Sequence, residues 1–368
     1  MATQVQFLAR EHFQALIDAL IDAGYRCLGP RVRDGAIVMD EVDKAAQLPV
    51  GVHDRQAPGS YRLEGSDSPR YFAWANGPQA LKPILFAPRE SLWRVERDAQ
   101  GGLNFVQAQK DAPKTAVLGV RSCDLAGMRV QDKVFIQDQY QDHHYRARRQ
   151  ALFTVAVNCS HPAETCFCAA TGDGPTAEAG YDLLLSELDE GFLINAGSPA
   201  GEGILAALPL EKASDQQFYI AGQQAIQAAA VQTRKLPPRV DEVLLHNLEH
   251  PRWQEVAQRC LSCTNCTMVC PTCFCHQEVE QAQLDGSATE HLREWDSCFT
   301  DGHSYIHGTV IRPDTQTRYR QWLTHKLATW VQQFGNSGCV GCGRCISWCP
   351  VGIDLTEEAN AIAGTVHD

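Results

Sequence analysis

Sixteen cysteines punctuate this sequence, and eight of them fall into two stretches with the same spacing. The first runs Cys260, Cys263, Cys266, Cys270 and then Pro271. The second runs Cys339, Cys342, Cys345, Cys349 and then Pro350. Each is C-x2-C-x2-C-x3-C-P, the run that holds [4Fe–4S] clusters in two-cluster bacterial ferredoxins. Cysteines three residues apart on a tight loop can offer three thiolates to three irons of one cube. The fourth, carried away by the proline, reaches the other cluster. The spacing therefore predicts a crossed pairing, with Cys260, Cys263, Cys266 and Cys349 on one cluster and Cys339, Cys342, Cys345 and Cys270 on the other. C-x2-C pairs also build zinc sites. Four thiolates satisfy a structural zinc, so zinc leaves the third cysteine and the C-P ending of each copy without a role.

Four more cysteines lie in the N-terminal half. Cys123 and Cys159 each follow a short β-rich run, Thr115–Val120 and Phe153–Val157, and Cys166 and Cys168 flank Phe167. If the two strands are neighbours, both thiols emerge at one sheet edge. A Cys166–Cys168 loop folded over that edge would complete a ligand set for a third [4Fe–4S] cluster. The same four thiols would also suit zinc, or could pack as small apolar side chains. Cys273, Cys275 and Cys298 stand near the first ferredoxin run, where a metal would need His276 as a fourth ligand. Packing around a cluster and tuning of its potential is the reading adopted for them. Cys27 reads as a strand residue facing the core.

The elements that must position these thiols divide into two regions, giving an α+β chain. Residues 1–245 read as a mixed α/β domain with the candidate third cluster site. It has an amphipathic helix Thr3–Gly24, capped by Thr3, and a hairpin of Tyr25–Val32 and Ala36–Asp40 around Asp34-Gly35. Strands are expected at Pro83–Phe86, Thr115–Val120 and Phe153–Val157, with a pair at Tyr181–Leu188 and Phe192–Asn195. A helix at Ile220–Val231 precedes a linker at Leu236–Arg239. Residues 246–368 read as an enlarged α-helical ferredoxin domain with two [4Fe–4S] clusters. Helices Val243–Val256 and Thr317–Phe334 lead into the two cysteine runs, and the long segment between Cys270 and Cys339 predicts an insertion that is helical at its ends. No internal repeat beyond the cysteine run is read.

Composition narrows the partners. The formal net charge is −12 over 368 residues, with 44% hydrophobic residues. Without a basic stripe, nucleic acid is not expected. No apolar run approaches the roughly 18 residues of a membrane span. The first residues carry no secretion pattern, and clusters need reduced thiols, so a cytoplasmic setting is expected. There is no G-x-G-x-x-G or Walker A pattern, so no nucleotide site is expected, and no triad or H-E-x-x-H motif suggests catalysis. His143, His144, His303 and His307 read as solvated histidines, and Arg146, Arg148 and Arg149 as a solvated face. One-electron transfer without catalysis implies a component of a larger complex.

Several of these segments occur together in a known order: Arg121-Ser-Cys-Asp-Leu125, Asn158-Cys159 with Cys166-Phe-Cys168, Arg259-Cys-Leu-Ser-Cys263 through Cys270-Pro-Thr-Cys-Phe-Cys275, Trp295-Asp-Ser-Cys298 and Cys339-Val-Gly-Cys-Gly-Arg-Cys345. From residue 80 to 355 this resembles the iron–sulfur beta subunit of NAD(P)-linked cytoplasmic [NiFe] hydrogenases of the sulfhydrogenase type. It is equally similar to the iron–sulfur subunit of anaerobic sulfite reductases. The resemblance implies a relay between a flavin/NAD(P)-binding reductase subunit and one of two catalytic partners. These are the [NiFe] hydrogenase small and large subunits, or a sirohaem sulfite reductase subunit. It also implies that Cys123, Cys159, Cys166 and Cys168 belong to the shared pattern. A redox-sensing or scaffold iron–sulfur protein is the alternative of another class, although a sensor needs only one labile cluster.

Overall fold

The computed structural model describes residues 5–108, 112–137 and 139–364. Its largest sheet has eight strands, in the order Glu211–Lys212, Gln6–Ala9, Gly191–Ala196, Leu183–Glu187, Leu152–Val157, Thr115–Val120, Arg26–Arg33 and Ala36–Glu41. Leu183–Glu187, Leu152–Val157, Thr115–Val120 and Arg26–Arg33 pair in parallel, and the outer strands pair antiparallel. Every residue of Thr115–Val120 and Leu152–Val157 is buried. Such runs, apolar on both faces, are what a parallel strand covered by helices requires.

Helix Phe13–Asp22 covers one face and buries Phe13, Leu16, Ile17 and Leu20, the i, i+3, i+4, i+7 stripe of its sequence. The expected helix Thr3–Gly24 is longer than this one, because Gln6–Ala9 is a strand paired with Gly191–Ala196. Phe7 and Leu8 are both buried there, one on each face, which a strand achieves and a helical stripe does not. Thr3 lies outside the described residues. The Asp34-Gly35 hairpin forms between Arg26–Arg33 and Ala36–Glu41, with φ of 50° and 75° at its two turn residues. Pro83–Phe86, expected as a strand, instead mostly belongs to a helical turn, Lys82–Leu85, with the proline in its first turn and Phe86 capping its end.

A second core gathers Leu244, Trp253, Val256, Tyr319, Trp322, Leu323, Leu327, Ile346 and Ile362. Helices Val240–His246, Arg252–Arg259, Thr315–Thr324 and Leu355–Gly364 supply most of it. Pro251 separates the first two of these, where the sequence pattern suggests one helix. The Thr315–Thr324 helix passes through a π-helical turn, His325–Thr329, before Trp330–Phe334. The insertion between the cysteine runs begins as a hairpin, His276–Ala282 with Ala288–Trp295, rather than as a helix. This hairpin pairs with Arg89–Arg97, and Leu103–Gln107 completes a four-stranded antiparallel sheet. Strands from before and after residue 245 therefore share one sheet.

Candidate metal centre

The first cysteine run starts where helix Arg252–Arg259 ends. Ser262 and Thr264 adopt left-handed backbone, φ 49° and 69°, which wraps the loop tightly enough to turn successive thiols inward. Cys260, Cys263, Cys266 and, from the second run, Cys349 line one pocket, walled by Phe299, Tyr319, Trp322 and Ile353. The Cys266 thiol is pushed up by burial and by the neighbouring Cys260, Cys349 and Cys263. Backbone N–H groups already face the sulfurs. Ser262 N donates to Cys260 Sγ at 3.5 Å and Ile353 N to Cys349 Sγ at 3.3 Å.

The second group forms deeper. Burial raises the Cys345 thiol, and Cys339, Cys342 and Cys270 add to the shift, so these four are mutual neighbours. Burial likewise pushes Cys339 up to about 12, against the pull of Lys326. Lys326, on the π-helical turn and 5% exposed, donates from Nζ to Cys270 Sγ and to Thr272 Oγ1, each at 3.0 Å. The Cys270 thiol is held well below its usual value by its hydrogen bond with Cys273, and Lys326 acts in the same direction.

Cys123, Cys159, Cys166 and Cys168 also come together. Strands Thr115–Val120 and Leu152–Val157 are parallel neighbours, with Val120 opposite Ala156, so Cys123 and Cys159 leave the same carboxyl edge of the sheet. The loop carrying Cys166 and Cys168 returns over that edge. Burial and the nearby Cys159 and Cys342 push Cys168 up to about 12, against a hydrogen bond from Gln232. Burial also raises Cys166, helped by Cys168, Cys159 and Cys342. Asn76 Nδ2 donates to Cys123 Sγ at 3.4 Å and Gln232 Nε2 to Cys168 Sγ at 3.5 Å.

Cys342 thus neighbours both groups, and the loops approach as closely as backbone allows. Phe167 N donates to Gly341 O at 2.8 Å. A Cβ on Gly341 would fall 2.5 Å from Cys168 N, and one on Gly343 would fall 2.4 Å from Thr165 O. Only glycine permits that contact, and both residues have positive φ.

Buried thiols with raised pKa values stay protonated at neutral pH unless a cation displaces the proton, which iron does outright. Among the described residues no three potential ligands converge as a single ion would demand. A tetrahedral zinc draws its sulfurs to about 2.3 Å from one point, whereas a cube holds them apart. Around the third group burial raises the Cys159 thiol against the pull of the Arg121 guanidinium, whose Nε and Nη1 are buried without a partner. Its Nη2 donates to Phe72 O and Trp74 O, each at 2.7 Å, so two of its three nitrogens keep donors that an anionic centre would accept.

Among the charged residues that matter here, Lys326 carries no signal in the sequence, while Arg121 and Arg344 fall inside the recognised segments without anything to mark them as neighbours of the thiols. Arg148 and Arg149, expected on a solvated face, pair with Glu90 at 2.6 Å and Asp132 at 3.2 Å. His144 also approaches Glu90, at 3.5 Å. His276 does not join Cys273, Cys275 and Cys298. Its ring is exposed and meets Phe274 O at 3.1 Å, while His303 is the imidazole beside Cys275.

Residues 259–353 match the family model of the 4Fe-4S dicluster domain. Over 289 residues the chain is 28% identical to the sulfhydrogenase 2 subunit beta of Pyrococcus furiosus, an alignment covering 76% of this chain and 82% of that protein. Among the described residues no helix is long and apolar enough to cross a membrane. The chain is therefore an iron–sulfur protein with an electron-transfer role, built on a 4Fe-4S dicluster domain and related to the beta subunit of sulfhydrogenases.

Proposed function

We propose that the chain relays electrons between a flavin/NAD(P)-binding reductase subunit and the small and large subunits of a [NiFe] hydrogenase, without itself being catalytic. The observation that carries this reading is the contiguity of the three thiol groups. Cys345 borders both groups of the dicluster domain, and Cys342 borders both the second group and the third. On this reading Cys260, Cys263, Cys266 and Cys349 hold one [4Fe–4S] cluster, and Cys270, Cys339, Cys342 and Cys345 hold another. Cys123, Cys159, Cys166 and Cys168 hold a third.

Bound clusters supply reversible one-electron chemistry. The chain's own residues ligate, insulate and bias them. Phe299, Tyr319 and Trp322 wall the buried side of the first group, while Cys263 on the other side is exposed. Lys326, Arg344 and Arg121 place positive charge beside the second and third groups and thereby stabilise the added electron.

Native purification of the tagged chain under anaerobic conditions tests the partners. Co-purifying nickel and flavin are expected. A sirohaem absorbance would instead assign the chain to a sulfite reductase, and recovery of the chain alone without reversible low-potential reduction would overturn the relay. Replacing Cys159 by Ser should remove about four irons per chain, and undiminished iron would remove the third cluster from the reading.

A further inference from the structure

One tetrapeptide occurs twice. Thr165-Cys-Phe-Cys168 carries two cysteines of the third group, and Thr272-Cys-Phe-Cys275 follows the first ferredoxin run directly. In each copy the phenylalanine is an anchor. Phe167 is fully buried, and Phe274 packs against Phe135, His325 and Trp330 with ring centroids 5.8–6.3 Å apart. Anchoring that ring turns the cysteine on either side of it toward other segments.

The second copy meets two of them. Asp296 N donates to Cys275 O at 2.9 Å and pins the Trp295–Cys298 loop against it. The Cys298 thiol hydrogen-bonds with that of Cys275, and His303, on the following short turn, bonds to Cys275 from another direction. Cys273, Cys275, Cys298 and His303 line a cavity of about 250 Å³, closed by Trp322, Lys326 and Trp330. That space is far larger than a single ion needs. Two of its lining residues, Trp322 and Trp330, 4% and 3% exposed, have indole Nε1 atoms that are buried without an acceptor. A buried N–H without an acceptor is costly, and inorganic sulfide is an acceptor of the kind such a donor needs.

We propose that Cys273, Cys275, Cys298 and His303 hold a further iron–sulfur cluster, ligated by three thiolates and one imidazole. The thiol of Cys273 hydrogen-bonds with that of Cys270, so this centre abuts the second group of the dicluster domain and forms a branch of the relay. Imidazole in place of thiolate removes negative charge and raises the potential, as in Rieske centres. The branch is therefore an electron sink beside a lower-potential path. The inference rests on the chain being an iron–sulfur protein, and neither on its partners nor on the third group.

The test uses the full chain, purified and reconstituted without oxygen, with iron, acid-labile sulfide and EPR-monitored redox titration as readouts. Cys275→Ser and Cys298→Ser are each expected to lose about four irons and four sulfides per chain while the dicluster EPR signals persist. His303→Cys should keep the iron and lower one midpoint potential. Unchanged iron in both serine variants overturns the site. So does a Cys275–Cys298 disulfide formed on mild oxidation without loss of iron, which would make the pair a redox dithiol. If the serine variants lose all iron through misfolding, His303→Cys decides, and an unmoved set of potentials overturns the proposal. Failure of the third group shows separately, as unchanged iron in Cys159→Ser.

Discussion

Arg344 donates from Nη2 to Asp124 Oδ1 at 2.7 Å, with both side chains only 1% exposed. Arg344 stands between Cys342 and Cys345, and Asp124 follows Cys123, so one buried ion pair ties the second thiol group to the third. Arg344 Nε also donates to Gly77 O at 3.1 Å, and Asp124 Oδ2 accepts from Arg121 N at 3.3 Å. Such a pair gives little net stability over an apolar replacement, but breaking it strands a charge in the interior. Asp124→Ala is expected to cost about 3–5 kcal/mol, read as an earlier urea midpoint of the holo chain. Asp124→Leu combined with Arg344→Met should recover most of that loss. An unchanged midpoint in Asp124→Ala would show that the pair does not hold the two regions together.

The crossed ligation makes a sharper statement than total iron. Cys270→Ser and Cys342→Ala fall in different cysteine runs, yet they belong to one group of neighbouring thiols. Each alone should remove one cluster. The double variant should lose no more iron than either single, because effects within one unit are not additive. Additive loss would mean that each run closes its own cluster, and the crossed assignment would fail.

What is legible in the sequence is local. The cysteine runs declare themselves because ligand spacing is fixed along a few residues, and the Asp34-Gly35 turn because its chemistry lies in two. Gln6–Ala9 reads as helix in sequence because its strand partner, Gly191–Ala196, lies far along the chain. The hairpin His276–Ala282 with Ala288–Trp295 stays hidden because its neighbour, Arg89–Arg97, is equally remote. The same distance conceals the charges. Nothing near Lys326 in sequence announces that Cys270 accepts its ammonium hydrogen bond. His276 looks the better ligand than His303 because it is adjacent to Cys275 in the chain, although adjacent residues in an extended strand point apart.

Gly341 and Gly335 provide a matched pair for the contact between the second and third groups. Both have positive φ, 62° and 74°. A Cβ at Gly335 meets nothing within 4 Å, whereas at Gly341 it strikes the backbone of Cys168. Gly335→Ala should therefore cost only the left-handed penalty, about 1 kcal/mol. Gly341→Ala should cost more and also push the Thr165–Cys168 loop away, with loss of about four irons if that loop ligates a cluster. Equal stability and equal iron in the two variants would refute the close approach.

Lys326 offers the cleanest probe of tuning, because its charge can be removed while its bulk is kept. Its ammonium group is buried, donates to Cys270 Sγ at 3.0 Å, and is kept charged by the nearby Cys270 and Cys273 in spite of its burial. A donor this close stabilises the more negative, reduced state of whatever Cys270 ligates. Hydrogen bonds involving a charged group are worth roughly 1.5–3 kcal/mol, and a tenfold change in a one-electron equilibrium is about 59 mV. Lys326→Met should thus retain iron and lower the potential of the cluster that Cys270 ligates by on the order of 60–130 mV, with a smaller shift at any centre held by Cys273 and the cluster held by Cys260, Cys263, Cys266 and Cys349 much less affected. EPR-monitored redox titration of the reconstituted chain measures this directly. A uniform shift of every centre would point to a general structural effect, and no shift at all would mean that the Lys326–Cys270 hydrogen bond does not set the potential.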